Sequence, residues 1–344
     1  MSREALRRLI AWVAAHPIAS FIVFFAVFPF VAPYQALATQ VLIFGLFALG
    51  FNLLYGYTGL LSFGHAAYYG LGAYGTGIAL AKLKVASLWV ALGIGLGTAI
   101  AGGALVGFFC LRRRGIYFAM LTLAFAQMLY FIAFHAADLT GGDDGLRGIP
   151  LHPLGLPGVS LSLRKPLAFY FFTYALVVLA VAGLKRILDS PFGAVLQAIR
   201  ENSDRAVACG YDIGRVKLLS FVFSALFAGL AGGLDALRLS VVPVESLYWS
   251  TSGQVVIMTL LGGAGTFFGP FVGAATYLVL ADRLSIFIEF WPLVIGAIFM
   301  AFVLFLPKGI WGTLLARLTP ASRGDEERQR RSMGDPSAGG SAKP

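Results

Sequence analysis

Hydrophobic residues in this chain run in long continuous stretches separated by short polar turns. A bilayer core is spanned by roughly 20 apolar residues in a helix. On that window, stretches fall near Ile18 to Ala32, Ala36 to Tyr55, Phe63 to Leu80, Leu88 to Cys110 and Ile116 to Ala136. Further stretches lie near Leu167 to Leu184, Leu218 to Leu237, Gly253 to Leu261, Phe267 to Ala281 and Ile286 to Leu306, the first of the last three being short. In lipid every spanning segment must satisfy its own backbone hydrogen bonds, which continuous runs do as helices, whereas barrel strands would alternate over shorter segments. The pattern predicts an all-α fold, a polytopic membrane helix bundle of about ten transmembrane helices.

Composition agrees. Of 344 residues, 58% are hydrophobic and 12% charged, against about 25% charged in an ordinary soluble domain. A net charge of +10 raises nucleic acid as a partner, but the 26 Lys and Arg residues sit between the apolar stretches, as basic loops do on the cytoplasmic side of a membrane, facing anionic lipid. No nucleic acid is therefore expected. With the N-terminus inside, Arg3, Arg7, Arg8, Arg112 to Arg114, the group from Lys185 to Lys217, Lys308 and the basic tail are cytoplasmic, while Lys82, Lys84, Arg147, Arg164, Lys165, Arg238 and Arg283 are outside. An even number of spans then puts both termini in the cytosol.

The domain reading is a cytoplasmic N-terminal segment over 1–17, a membrane domain over 18–318 with a cytoplasmic loop at 185–217, and a disordered cytoplasmic tail over 319–344, where composition turns to Arg, Asp, Glu, Ser, Gly and Pro. Arg3, Arg7, Arg8 and Ala36-Leu37-Ala38 imitate a cleavable signal, but the first apolar stretch runs on towards a second, and a retained first span is expected. Cys110 and Cys209 both fall beside basic loops, where cytosolic thiols stay reduced.

Two glycine-rich breaks interrupt the apolar pattern. The first, Gly56-Tyr57-Thr58-Gly59-Leu60-Leu61-Ser62-Phe63-Gly64-His65, separates the second and third spans; the second runs from Gly262 to Pro270 and repeats the arrangement loosely. Non-helical backbone at membrane depth is tolerated inside protein or along a water-filled cavity, so such breaks point at a translocation path; a tight cytoplasmic turn is the plain alternative. The pathway candidates are Gly56, Thr58, Gly59, Ser62, Gly64 and His65 in the first break and Gly262, Gly265 and Thr266 in the second. Their likeness suggests an internal duplication in parallel orientation.

The loop between the sixth and seventh spans holds a compact charged element. Ser190 and Pro191 open a helix whose Phe192, Val195, Leu196 and Ile199 share one face. Ser203 is positioned to cap a second short helix containing Asp204, which Gly210 ends, with Arg200, Glu201, Asn202 and Arg205 around the junction. So short an element, capped at both ends, is expected to be a docking site.

These segments resemble the branched-chain amino acid ABC transporter permease family, the LivM-type subunit. The resemblance rests on Asn52 to Tyr74, Gly115 to Ala126, Thr140 to Leu146, Ala198 to Ala206 (AIRENSDRA) and Gly262 to Ala274. It implies a bacterial inner membrane location and an ABC importer of branched-chain or other small amino acids. The charged knuckle would couple to one of two cytosolic ATPase subunits through Arg200, Glu201, Asn202, Ser203 and Arg205. A second related permease subunit would complete the pathway, and a periplasmic substrate-binding protein would dock outside, partly on Asp138 to Pro166. Ser203 departs from the Glu or Pro common at that place in the family, which bears on the identity of the partner.

No Gly-x-x-x-x-Gly-Lys-(Ser/Thr) loop occurs in the chain, so ATP and magnesium belong to partner subunits and no cofactor is expected here. An ion-coupled secondary transporter is the alternative, but such proteins place ionisable groups within their spans. Asp235, Asp282 and Glu289 fall near outer helix ends and read as structural. His16, His65, His135 and His152 are scattered without ligand spacing, so neither a metal site nor an enzyme is indicated.

Overall fold

The computed structural model describes residues 17–152, 154–156, 159–161, 163–287 and 289–318. The tail expected over 319–344 and, apart from Pro17, the expected N-terminal segment lie outside the described residues.

The expected spans form as helices: α1 (Pro17–Val31), α2 (Gln35–Asn52), α3 (His65–Ala81), α4 (Leu88–Cys110), α5 (Ile116–His135) and α6 (Pro166–Leu188). Then come the short α7 (Pro191–Glu201) and α8 (Ser203–Ala208), followed by α9 (Ile213–Leu239), α10 (Trp249–Gly262), α11 (Gly269–Phe287), α12 (Trp291–Phe305) and α13 (Gly309–Leu318). Among the described residues seven helices are long and apolar enough to cross a membrane. The shorter apolar helix α1 and the less apolar α3 and α10 stand where the sequence places the first, third and eighth spans. At 14 residues, α10 is about 21 Å long, less than a hydrocarbon core of about 30 Å. A 3-10 turn at Val244–Leu247 precedes it and the second break follows it.

The core centres on α2, whose span is 94% buried, against 28% for α5 and 11% for the span containing α12. Against it pack α11, α9, α6 and α10, while α3, α4 and α9 cross one another closely. A Cβ on Gly232 of α9 would stand 1.9 Å from the carbonyl oxygen of Tyr69 on α3, so only glycine permits this approach. Along α4, Gly95, Gly102 and Gly103 make such contacts, whereas Gly93 and Gly97 face open space; packing accounts for only part of that glycine run.

The knuckle of α7 and α8, both breaks and the start of α13 gather at one end of the bundle, where the carbonyl oxygen of Lys308 lies 2.8 Å from a Cβ placed on Gly263. At the opposite end β1 (Leu146–Arg147) pairs antiparallel with β4 (Val241–Val242), Leu146 opposite Val242. Between them in sequence, β2 (Leu154–Leu156) and β3 (Val159–Leu161) form a hairpin. Asp235 is structural, accepting from Tyr69 Oη at 2.7 Å and pairing with Arg238 at 2.7 Å. Asp282 likewise accepts from the Tyr34 hydroxyl.

Candidate functional site

The first helix of the knuckle begins where Ser190 and Pro191 predict, with Pro191 at the first helical position. Ser190, however, makes no side-chain cap: its Oγ donates back to the carbonyl of Ile187 at 2.6 Å. Gly193, Leu196 and Ile199 are the buried face of α7, with Phe192 and Val195 half-buried beside them. A Cβ at Gly193 would meet the Leu188 carbonyl oxygen at 2.1 Å, so this glycine sets how tightly α7 folds back on α6.

At the second start the capping residue is Asn202, not Ser203. Asn202 is extended (φ −156°, ψ 102°) and its Oδ1 accepts the Arg205 N–H at 2.9 Å. Ser203 already lies within α8, so its hydroxyl turns back to the Ile199 carbonyl at 3.1 Å. The carboxamide therefore takes the role that the sequence assigns to the hydroxyl. The Glu201, Asp204 and Arg205 side chains are exposed, and Gly210 ends the element at φ +86°.

Arg200, although exposed like Glu201 beside it, reaches from the knuckle to the end of the bundle. Its Nη1 donates to the carbonyl oxygen of Gly56, its stem lies against Gly59, and a Cβ on Gly265 would stand 3.1 Å from its Nη1. Tyr57, Gln197, Arg200, Glu201 and Gly265 line a cavity of about 290 Å³. One side chain of the knuckle thus touches both breaks.

The first break opens earlier than the glycine pattern suggests. After Asn52 the helix widens into a π turn over Leu53–Tyr57, a rare geometry that frequently marks functional positions, and helix resumes at His65. Asn52 is fully buried. Its Nδ2 donates to the Thr266 carbonyl at 2.9 Å and its Oδ1 accepts the Gly265 N–H at 2.8 Å, tying the second break to the first. Sequence reasoning did not single out Asn52 for this site, although a carboxamide deep within an apolar span, just before a glycine-rich break, is the signal that finds it.

The other candidates separate into two groups. Gly56, Gly59 and Gly265 meet around Arg200. Gly262 and Thr266 close the second break, Thr266 Oγ1 donating to Gly263 O at 2.7 Å and accepting Gly269 N–H at 3.1 Å. Thr58, Ser62 and His65 instead lie within the protein, at 3%, 0% and 0% exposure. Thr58 Oγ1 bonds to Leu53 O and Ser220 Oγ (3.1 and 2.8 Å), and Ser62 Oγ accepts Gly64 N–H at 3.3 Å. Ser224 spends its proton on Gly50 O, so His65 Nε2 donates to Ser224 Oγ, at 2.7 Å. That assigns the imidazole proton to Nε2 and leaves Nδ1 an enclosed acceptor without a partner among the described residues. Gly64 packs on the Thr122 carbonyl of α5.

The sequence pattern of the family described as "Branched-chain amino acid transport system / permease component" matches residues 34–306. The chain belongs to this family and is of LivM type. The permease is 30% identical to LivM, the high-affinity branched-chain amino acid transport system permease protein of Salmonella typhimurium, over 80% of this chain and 69% of that one. The Escherichia coli LivM protein matches with the same figures. This permease is also 25% identical to the probable branched-chain amino acid transport permease protein LivH of Methanocaldococcus jannaschii, over 78% of this chain and 88% of the relative. No solved structure matches the permease. The matched region contains both breaks and the knuckle.

Proposed function

We propose that this permease forms part of the membrane pathway of an ATP-driven importer of branched-chain or other small amino acids in a bacterial inner membrane, with both termini cytoplasmic. In this reading two cytosolic ATPase subunits hold the ATP and magnesium, and the knuckle seats on one of them through Arg200, Glu201, Asn202, Ser203 and Arg205. A second related permease completes the pathway, as the likeness to both LivM and LivH proteins suggests, and a periplasmic binding protein delivers the solute. The observation that carries the proposal is the reach of Arg200 from the knuckle to Gly56 and Gly265 at once. The two breaks are where α3 and α11 begin, so moving Arg200 shifts the roots of both helices.

ATP closing the partner dimer would bias inward-facing against outward-facing packing through this arginine, a population shift in a two-state element. Because Thr58, Ser62 and His65 are enclosed by their own hydrogen bonds, their role in this reading is to gate, by exchanging those bonds, and not to line an open channel. Co-expression with the ATPases and the second permease tests the docking. The Arg200, Glu201, Arg205 triple Ala variant is expected to lose the ATPases on purification, and their retention would reject the docking site. Uptake by vesicles energised with ATP, and none with an imposed proton or sodium gradient, is the expected pattern for the importer.

A further inference from the structure

Polar side chains buried in the bundle mostly spend their hydrogen bonds locally, as Thr122 does on the Ala119 carbonyl at 2.8 Å. Six enclosed groups have no partner among the described residues, on His65, Tyr68, Tyr74, Thr76, Gln127 and Thr173, and those of Tyr74 and Gln127 stand on the neighbouring helices α3 and α5. The Tyr74 hydroxyl of α3 and the Gln127 Nε2 of α5 are enclosed without a partner among the described residues, and Tyr74 is only 5% exposed. An enclosed donor without a partner is costly in apolar surroundings and calls for an occupant.

Their neighbours give the occupant a chemistry. Gln127 and Tyr130 lie three residues apart and so share one face of α5, and the Tyr130 ring is 4.9 Å from that of Tyr248. The 3-10 turn Val244–Leu247 packs against α3, α5 and α10. It presents Glu245, within electrostatic reach of Tyr74, as is Tyr130. Glu245 is exposed and has no ion-pair partner among the described residues. Asp235 nearby in sequence is different, being held by Arg238 and Tyr69.

These residues sit along the seam between α3 and α5. Near the knuckle end the same pair of helices meets where Gly64 packs on Thr122, at the first break. The seam is thinly held, since α5 is 28% buried. An exposed carboxylate without an ion-pair partner among the described residues, close to a phenol, suits an ammonium group through charge. A free carboxamide N–H suits a carboxylate. A zwitterionic α-amino acid carries both.

We propose that the α3–α5 seam receives the amino-acid substrate, with Glu245, Tyr74 and Tyr130 taking its ammonium and Gln127, one helical turn deeper, donating to its carboxylate. The assignment rests on the importer reading and deepens it. It places specificity for α-amino acids partly in the permease itself.

The test uses the complete transporter, reconstituted in vesicles with its ATPases, second permease and leucine-loaded binding protein at saturation. Glu245→Gln and Gln127→Leu are each expected to lower ATP-driven leucine uptake about tenfold, the size of one lost charge-assisted contact, while still co-purifying with the partner subunits. Glu245→Asp, which keeps the carboxylate, is expected to recover uptake. A photoactivatable leucine analogue in the nucleotide-trapped wild type gives a readout independent of variant folding, with label expected on Tyr74, Gln127, Tyr130 or Glu245. Wild-type rates in both variants, or label confined to other segments, would overturn the seam while leaving the importer standing. A wild-type complex that imports no α-amino acid would remove the importer reading and the seam with it.

Discussion

With both ends of its carboxamide engaged, Asn52 supplies an acceptor to Gly265 and a donor to Thr266, two backbone groups of the second break that have no helix to satisfy them. Replacing it by Leu keeps the volume and strands both groups. Each costs about 1–3 kcal/mol when buried without a partner, so Asn52→Leu is expected to lower the midpoint of thermal unfolding in detergent clearly. An unchanged midpoint would show that the two breaks do not depend on this side chain. Gly56→Ala acts on the same spot from the other side, because its Cβ would stand 2.1 Å from Asn52 Oδ1 and 2.5 Å from the Gly265 nitrogen. It is expected to lose both stability and uptake, where Gly93→Ala, facing open space, is expected to keep both. Replacing Thr58, Ser62, His65 and Thr266 together by Ala is expected to abolish coupled uptake; normal uptake by that variant would dismiss them as a gate.

Helices were legible in the sequence because the bilayer imposes a length, and a window of roughly 20 apolar residues reads that length directly. The breaks were legible because glycine runs interrupt it. What joins them was not: residues 52, 56, 200 and 265 meet across long stretches of chain, and apolar periodicity carries no information about which turn faces which. The knuckle shows the same limit at closer range. Asn202 and Ser203 are adjacent and both are good capping types, so composition could not choose between them; the extended backbone at Asn202 does. The difference is measurable. Asn202→Ala removes the bond to Arg205 N–H and is expected to cost about 1 kcal/mol of local helix stability, seen as weaker retention of the ATPase subunits on purification. Ser203→Ala removes only a back-bond to Ile199 and is expected to retain them as the wild type does. The reverse ranking would restore Ser203 as the cap.

At the scale of the whole molecule, the two cysteines are native reporters of which way the bundle stands. Cys209 is exposed at the end of α8 and Cys110 is buried at the end of α4, so an impermeant thiol reagent has one accessible target among the described residues. The distribution of Lys and Arg predicts a cytosolic knuckle, and a cytosolic engine acting through Arg200 requires it there. Inverted membrane vesicles are therefore expected to label, intact spheroplasts to remain unlabelled, and Cys209→Ser to abolish the signal. An added cysteine at the exposed Asp143, at the opposite end, is expected to label from outside. Bound ATPase subunits should protect Cys209 in inverted vesicles, because the docking surface includes the helix that it terminates. Labelling of Cys209 from outside would place the Arg200 junction on the wrong side of the membrane for any nucleotide-driven partner, and coupling through the two breaks would fail with it.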